Sequence, residues 1–223
     1  MPVITGKGKI RQGRGTGEGA TYKPWILTRE FNSTGTTANI IDWKHGRSIQ
    51  LLSAGEEMYY YLFRWDDNVV DIREQYPLDI TLTRKIAEKY GISHPKTTMT
   101  TDLLVFYKDK SKIAVSVKSD RTSIDYASCD GEEQKNRVRT MEKLFIEKHY
   151  WMQKGVQWKL LFKEDLNPEM ISNIRRVVVY YDANRVHDPI SKVKHLIATK
   201  QLIVDMDKPI DYLSLSKSLP LEE

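Results

Sequence analysis

The sequence predicts an α/β fold, a mixed sheet flanked by helices, followed by a small and mostly helical C-terminal part. Between residues 53 and 162, runs rich in β-formers alternate with helical patterns. Two of those runs, TDLLVFY (101–107) and KIAVSVK (112–118), are joined by the polar tip KDKS and read as a β-hairpin. After Asn167-Pro168, a cap followed by a first-turn proline, the pattern changes to short helices.

Taken in order, residues 1–24 form a flexible, glycine-rich arm by composition, with six of the chain's twelve glycines and few apolar side chains. ILTREF (26–31) alternates apolar and polar and predicts a short strand, and 32–38 is a Ser/Thr/Gly/Asn loop. Ser53 and Glu56 have capping-box spacing, and Tyr59, Tyr60 and Phe63 recur at helical intervals through Trp65. A strand over 68–73 and a helix over 83–90, stopped by Gly91, precede the hairpin. Residues 119–131 read as a loop. The longest helix covers 132–154, with Val138, Met141, Leu144, Phe145 and Met152 expected on its apolar face, and a strand at 157–162 closes the unit. In the C-terminal part a helix runs from Pro168 to about Arg176, VVVYY (177–181) suits a strand or the end of that helix, a helix follows Asp188-Pro189, and LIVDM (202–206) predicts a last strand. The expected division is an arm (1–24), an α/β domain (25–165) and a small C-terminal domain (166–223).

Length and composition narrow the function. The 223 residues are 40% hydrophobic and 29% charged, enough for a packed core without disulfides or structural zinc. Cys129 is the single cysteine, the five histidines are scattered, and no run approaches the roughly 20 apolar residues of a membrane span. A cytoplasmic, membrane-free protein is the expectation. Of the net +5, +4 falls within 1–24, where Lys7, Lys9, Arg11, Arg14 and Lys23 face Glu18 alone. A cationic arm suits a phosphate backbone because each neutralised phosphate releases counterions. Its glycines make no nucleotide cradle, since no strand precedes them and no GK[ST] follows.

The hairpin carries the chemistry. With its turn centred on Lys110, residues whose numbers sum to 220 face each other, which sets Asp102 opposite Lys118 with Ser116 on the same face. A carboxylate on one strand, a short turn, and a lysine on the next with a polar residue two places earlier is the pattern of a PD-(D/E)xK nuclease core. Phosphodiester hydrolysis needs a hard divalent cation, held by carboxylate and carbonyl oxygens, and an ammonium beside the attacking water. A cross-strand Asp–Lys pair is equally the pattern of a plain sheet salt bridge. Glu56, early on the aromatic-rich helix, is the candidate third acid, though its spacing from Ser53 also suits a cap and Glu57 lies beside it. Arg139 and Lys143 on the long helix are candidate DNA contacts, among acids that also suit an ordinary solvated face.

Five segments, GRGTGEGATYKPW (13–25), KHGRSIQLLS (44–53), VVDIREQYPL (69–78), GISHPKTTMTTDLLV (91–105) and RTMEKLFIEKHYW (139–151), resemble in order those of the TnsA endonucleases of heteromeric bacterial transposons. The resemblance covers roughly residues 10–165. It implies a restriction-endonuclease-like domain that cuts the 5′ ends of the element, the non-transferred strands, while a DDE-type partner transposase cuts and joins the 3′ ends. It further implies a winged-helix-like C-terminal domain that contacts an AAA+ ATPase regulator and DNA, Mg²⁺ (or Mn²⁺) as cofactor, transposon-end DNA as substrate, and a nucleoid-associated location when active. By matching segment, Glu56 and Asp102 correspond to metal ligands, with the Val117 carbonyl beside them, and Lys118 to the catalytic lysine. Lys7, Lys9, Arg11 and Arg14 are expected to touch the DNA backbone.

Two departures stand out. Where the family carries Gln or an acid two residues before the lysine, this chain has Ser116, whose single hydroxyl implies a weaker metal site. The chain also ends at DYLSLSKSLPLEE soon after its last predicted strand, so a shortened C-terminal domain is expected. Two rival readings follow: a non-catalytic adaptor joining transposase, ATPase and DNA, and a stand-alone restriction- or repair-type endonuclease.

Overall fold

The computed structural model describes residues 6–30 and 36–218. It divides into two compact units, one of residues up to Ile41 with Arg47–Asp165, the other of Asp42–Gly46 with the residues from Leu166 onward.

The first unit is α/β. It contains α1 (Gly6–Arg11), β1 (Ala38–Ile41), β2 (Ser48–Leu51), α2 (Ala54–Trp65), β3 (Val69–Pro77), α3 (Ile80–Lys89), β4 (Thr100–Tyr107), β5 (Lys112–Lys118), α4 (Gly131–Gln153) and β6 (Gln157–Phe162). The strands β3-β4-β5-β6 form a mixed sheet in that order, antiparallel except for the parallel pair β5–β6, which α4 connects. A separate antiparallel pair, β1–β2, starts at Ala38, the end of the expected loop, and lies in the stretch before α2 where no element was predicted. Leu104 of β4 and Ala114 of β5 pack with Ile86 and Ala87 of α3 and Ile146, Tyr150 and Trp151 of α4 to form the core.

The second unit is helical among its described residues, with α5 (Pro168–Val178), α6 (Pro189–Ala198) and α7 (Tyr212–Ser218). Asn167 and Asp188 cap the first two, each followed by the first-turn proline that its sequence shows. Among the described residues no helix is long and apolar enough to cross a membrane.

Several expectations are corrected. The hairpin pairs Leu103 with Val115 and Phe106 with Lys112, so partners sum to 218, not 220. The reason is a three-residue loop centred on Asp109, with Lys110 in the left-handed region at φ 68°. The predicted 26–31 strand is instead a short 3₁₀ turn, Thr28–Glu30, with Phe31 outside the described residues. It is bent because Glu30 takes the Arg14 guanidinium in two bonds, 2.6 and 2.7 Å, while the Gln50 side chain accepts the Thr28 N–H.

The arm is ordered over its described residues. Helix α1 is followed by a turn that pairs Gly15 N–H with the Lys23 carbonyl and Lys23 N–H with the Thr16 carbonyl. Gly15, at φ 77°, lies so close to Pro77 that a Cβ would sit 2.3 Å from its Cγ. Arg14 is buried against Glu30, and Lys9 is 3.5 Å from the same carboxylate and faces the Trp25 ring. That corrects the picture of four free basic residues: Lys7 and Arg11 are exposed, whereas Arg14 is part of the fold.

The 202–206 strand does not form. The Asn173 amide donates to the Met206 and Lys208 carbonyls, 3.0 and 2.8 Å, so these backbone groups pair with a side chain rather than a neighbouring strand, and Ile203 is left exposed. Residues 177 and 178 complete α5 instead of starting a strand. On α4 the buried stripe is Leu144, Glu147, Tyr150 and Trp151, while Val138 and Met152, expected inside, are exposed.

Candidate active site

The paired register of β4 and β5 ends at Leu103–Val115, and one residue further Asp102 takes over the next backbone donor: its Oδ2 accepts the Val117 N–H at 2.7 Å. A side chain thus replaces a ladder bond where the two strands part. Lys118, the last residue of β5, sends its ammonium to within 3.2 Å of the Val117 carbonyl. Burial raises the Asp102 carboxyl, and the Lys118 charge and the Val117 amide oppose that rise.

Glu56 reaches this point from α2. Half of the capping box forms, with Ser53 Oγ accepting the Glu56 N–H at 3.2 Å and donating to Glu56 Oε1 at 3.0 Å. The other carboxylate oxygen accepts from the Leu52 N–H, 2.9 Å, and from Gln75 Nε2, 3.1 Å. Capping and site placement are therefore one arrangement. Burial, then the charge of Asp102, pushes Glu56 up to about 8. The close approach of α2 rests on Gly55, where a Cβ would stand 2.9 Å from Val117 Cγ1. Gln75 is held at φ 48° while buried, donates to Glu56, and accepts from the Thr100 hydroxyl at 3.1 Å.

Helix α4 supplies the opposite flank. Glu147 is buried, its Oε1 accepts the Thr101 hydroxyl at 2.7 Å, and the Trp151 indole donates to the same hydroxyl at 2.7 Å. Burial, followed by the charge of Asp102, raises Glu147 to about 7, against the opposing pull of the Thr101, Ser116 and Trp158 side chains. Ser116 is 2% exposed, and its oxygen accepts from the Trp158 indole at 3.1 Å. One and two turns earlier on α4, Lys143 and Arg139 follow the same stripe. Lys143 is lowered by partial burial and then by the charges of Arg139 and Lys118, so three cations lie near one another. Arg139 itself donates to the Ser93 carbonyl and to Glu142 at 2.6 Å.

The structure therefore gathers Glu56, Asp102, Ser116, the Val117 carbonyl and Lys118 and places Lys143 near them, while Lys7, Lys9, Arg11 and Arg14 belong to the arm described above. Sequence reasoning missed Glu147 and Gln75. The signal for Glu147 was a lone acid in the aromatic stripe Leu144–Trp151; for Gln75 there was no local signal, because its left-handed backbone is set by contacts.

Two comparisons with known proteins bear on this arrangement. Residues 66–163, which span the whole mixed sheet from β3 to β6 with α3 and α4, match the family described as TnsA-like endonuclease N terminal. The transposon Tn7 transposition protein TnsA of Escherichia coli is 33% identical over 226 aligned residues, covering 95% of this chain and 78% of that protein. The chain belongs to the TnsA family. In this TnsA-family member Asp102, Ser116, Lys118 and Glu147 all fall within the matched endonuclease segment, and Glu56 lies ahead of it within the alignment to the Tn7 protein.

The donor set suits a divalent ion. Two carboxylates and a backbone carbonyl are hard oxygen ligands, and the Glu56 carboxylate, raised first by burial and then by the charge of Asp102, would be relieved by a cation. Among the described residues no three His, Cys, Asp or Glu side chains form a ready cage. Mg²⁺ is usually held by one or two carboxylates with waters and substrate phosphate and does not need such a cage.

Proposed function

We propose that this chain is a Mg²⁺-dependent DNA endonuclease subunit of a heteromeric transposase, cutting the non-transferred strands at the 5′ ends of its transposon. The observation that carries this reading is the convergence of Glu56 from α2, Asp102 from β4 and Lys118 from β5 where β4 and β5 part. Glu56, Asp102 and the Val117 carbonyl are the residues to hold the ion, and Mn²⁺ is expected to substitute. When bound, the ion supplies Lewis-acid polarisation of the phosphate and a more acidic water. Lys118 orients the attacking water and offsets the charge that develops on the phosphate. Leu52, Ser53 and Gln75 fix the Glu56 carboxylate through neutral donors, and Lys143 and Arg139 draw the DNA backbone across α4. Lys7 and Arg11 add sequence-independent contacts, and recognition of the ends falls to a DDE-type partner transposase and an AAA+ regulator, in the bacterial cytoplasm at the nucleoid.

The adaptor reading is favoured by one observation, the burial of Ser116 and the engagement of its hydroxyl by the Trp158 indole. Strand-specific cleavage in the reconstituted complex separates the two. Asp102→Asn is expected to reduce 5′ cutting by about a hundred- to a thousandfold, as for loss of one preorganised charge-stabilising group, with 3′ cutting retained. Unchanged 5′ cutting makes the chain an adaptor, and cutting by the isolated chain makes it a stand-alone nuclease.

A further inference from the structure

Gln75 stands where the glycine-rich arm, the sheet and α2 meet. Strand β3 pairs Glu74 with Leu103 and Tyr76 with Thr101, so Gln75 falls across from Asp102 between them. Consecutive strand residues normally point to opposite faces. Here Glu74 accepts the Gln50 N–H while Gln75 Nε2 donates to Glu56, so both side chains meet the one segment that runs from β2 into α2. The left-handed backbone of Gln75, φ 48°, breaks the alternation. Such a conformation is uncommon outside glycine and persists where the surroundings over-determine it.

Those surroundings are specific. The Gln75 side-chain carbonyl accepts the Thr100 hydroxyl at 3.1 Å, which leaves the amide nitrogen turned to Glu56. Its backbone carbonyl accepts the Trp25 N–H at 3.2 Å, and the Glu74 carbonyl before it accepts the Tyr22 hydroxyl at 3.1 Å. Trp25 and Tyr22 are buried, and Pro77, at the end of β3, lies against Gly15 of the same arm. Of the three donors to Glu56, the Leu52 N–H and the Ser53 hydroxyl come from the start of its own helix. Gln75 is the one that ties the carboxylate to the sheet carrying Asp102.

We propose that Gln75 is a positioning residue of the metal site, which fixes the Glu56 carboxylate, and that residues 13–25 are the strap that holds its left-handed backbone. This role rests on the endonuclease reading and deepens it: the arm serves the site through a metal ligand as well as through its exposed charges.

The test is Mn²⁺ affinity of the purified full chain, read by electron paramagnetic resonance, alongside the thermal midpoint without metal. Gln75→Asn keeps an amide and suits positive φ, but withdraws the nitrogen from Glu56 by a methylene. It is expected to weaken Mn²⁺ binding by about 10–100-fold, the usual cost of losing a partner behind a ligand. Gln75→Gly, which suits the same backbone without a side chain, is expected to do the same, and should one of the two fail to fold the other decides. Tyr22→Phe takes one hydroxyl from the strap. It is expected to weaken Mn²⁺ binding by about three- to tenfold in the unmodified chain and by less than about twofold in Gln75→Gly, because the two act through one residue. Unchanged affinity in the Gln75 variants, whatever their midpoints, makes the residue purely structural and overturns the proposal. A lowered midpoint with unchanged affinity in Tyr22→Phe, or an equal loss with and without Gln75, overturns the strap. Unchanged affinity in Asp102→Asn removes the metal reading itself, whereas loss in Asp102→Asn with none at Gln75 sinks only the positioning role.

Discussion

Glu74 on β3 and Glu56 on α2 are both buried carboxylates in the first unit, yet they are held in opposite ways. Glu74 is gripped by Arg47 through two parallel bonds of 2.8 and 2.6 Å, with the Gln50 N–H as a third donor, and the guanidinium also reaches the Ile72 carbonyl and lies over the Tyr22 ring. The donors to Glu56 are neutral, two backbone or amide N–H groups and one hydroxyl, and the nearest named charge is the negative one of Asp102. A fork that matches a carboxylate completes it and leaves nothing to bind. Neutral donors hold a carboxylate in place without cancelling its charge. The difference separates an acid that builds the fold from an acid that awaits a cation.

The sharpest way to break this comparison is to remove a charge from each side. Arg47→Met strands Glu74 unpaired in the interior and is expected to cost about 3–5 kcal/mol in denaturant unfolding. Glu56→Gln is expected to leave the metal-free stability unchanged or raised at pH 8 while 5′ cleavage is lost. A large loss of stability in Glu56→Gln would make the two acids alike. Next in size is Gly55→Ala, whose added methyl meets Val117 Cγ1. Overpacking there is expected to cost about 1–3 kcal/mol. A shift of α2 that moves Glu56 by even 1 Å should lower cleavage by about a hundredfold. Wild-type cleavage in that variant would show that Glu56 does not need its close approach.

The pH dependence sharpens the same contrast. Glu56 and Glu147 have folded values raised from 4.5 to about 8 and about 7. Acids raised in this way stabilise the fold fully below about 4.5, and that contribution is lost as pH rises through 7 and 8. The thermal midpoint of the metal-free chain is therefore expected to fall between pH 5 and 8, and Mg²⁺ to raise it more at pH 8 than at pH 6. Glu30, held by Arg14, is lowered to about 2 and has the reverse sign, contributing above about 4.5 and losing that contribution as pH falls towards 2. A midpoint flat from pH 5 to 8 in chelator contradicts the uncompensated acids. The smallest effect concerns the arm. Because Arg14 is built into the fold, deleting the arm would disturb the structure, and point changes are cleaner. Lys7→Ala and Arg11→Ala are each expected to reduce the slope of log affinity against log salt by about 1, with the fold intact.

Much was legible from the chain alone. The caps at Ser53, Asn167 and Asp188, the hairpin runs, the long helix and the final parallel strand announce themselves through residue type and spacing, because caps and periodicity are local. Asp102 and Lys118 were placed on the hairpin by its pattern, whereas Glu56 was chosen over Glu57 by the family resemblance and not by spacing. The register of the hairpin was not legible, because a single left-handed residue, Lys110, moves the turn centre by one place and the pairing by two. LIVDM (202–206) has strand composition, yet strands need partners, and here the Asn173 amide occupies the carbonyls of Met206 and Lys208.

The sequence by itself determined the elements of the first unit from α2 to β6 and which residue types are available for phosphodiester chemistry. Only the tertiary structure decided which charges are cancelled and which are left open. Arg14 and Lys7 are alike as basic residues in one glycine-rich segment, but one is buried against Glu30 and the other faces solvent. Glu147 and Glu142 are alike as acids on one helix, but one points into the interior beside Thr101 and Ser116 and the other pairs with Arg139 near the surface. Propensity and periodicity act over a few residues, whereas the fate of a charge depends on burial and on partners that arrive from farther along the chain, 16 positions for Arg14 and Glu30 and 46 for Glu147 and Thr101.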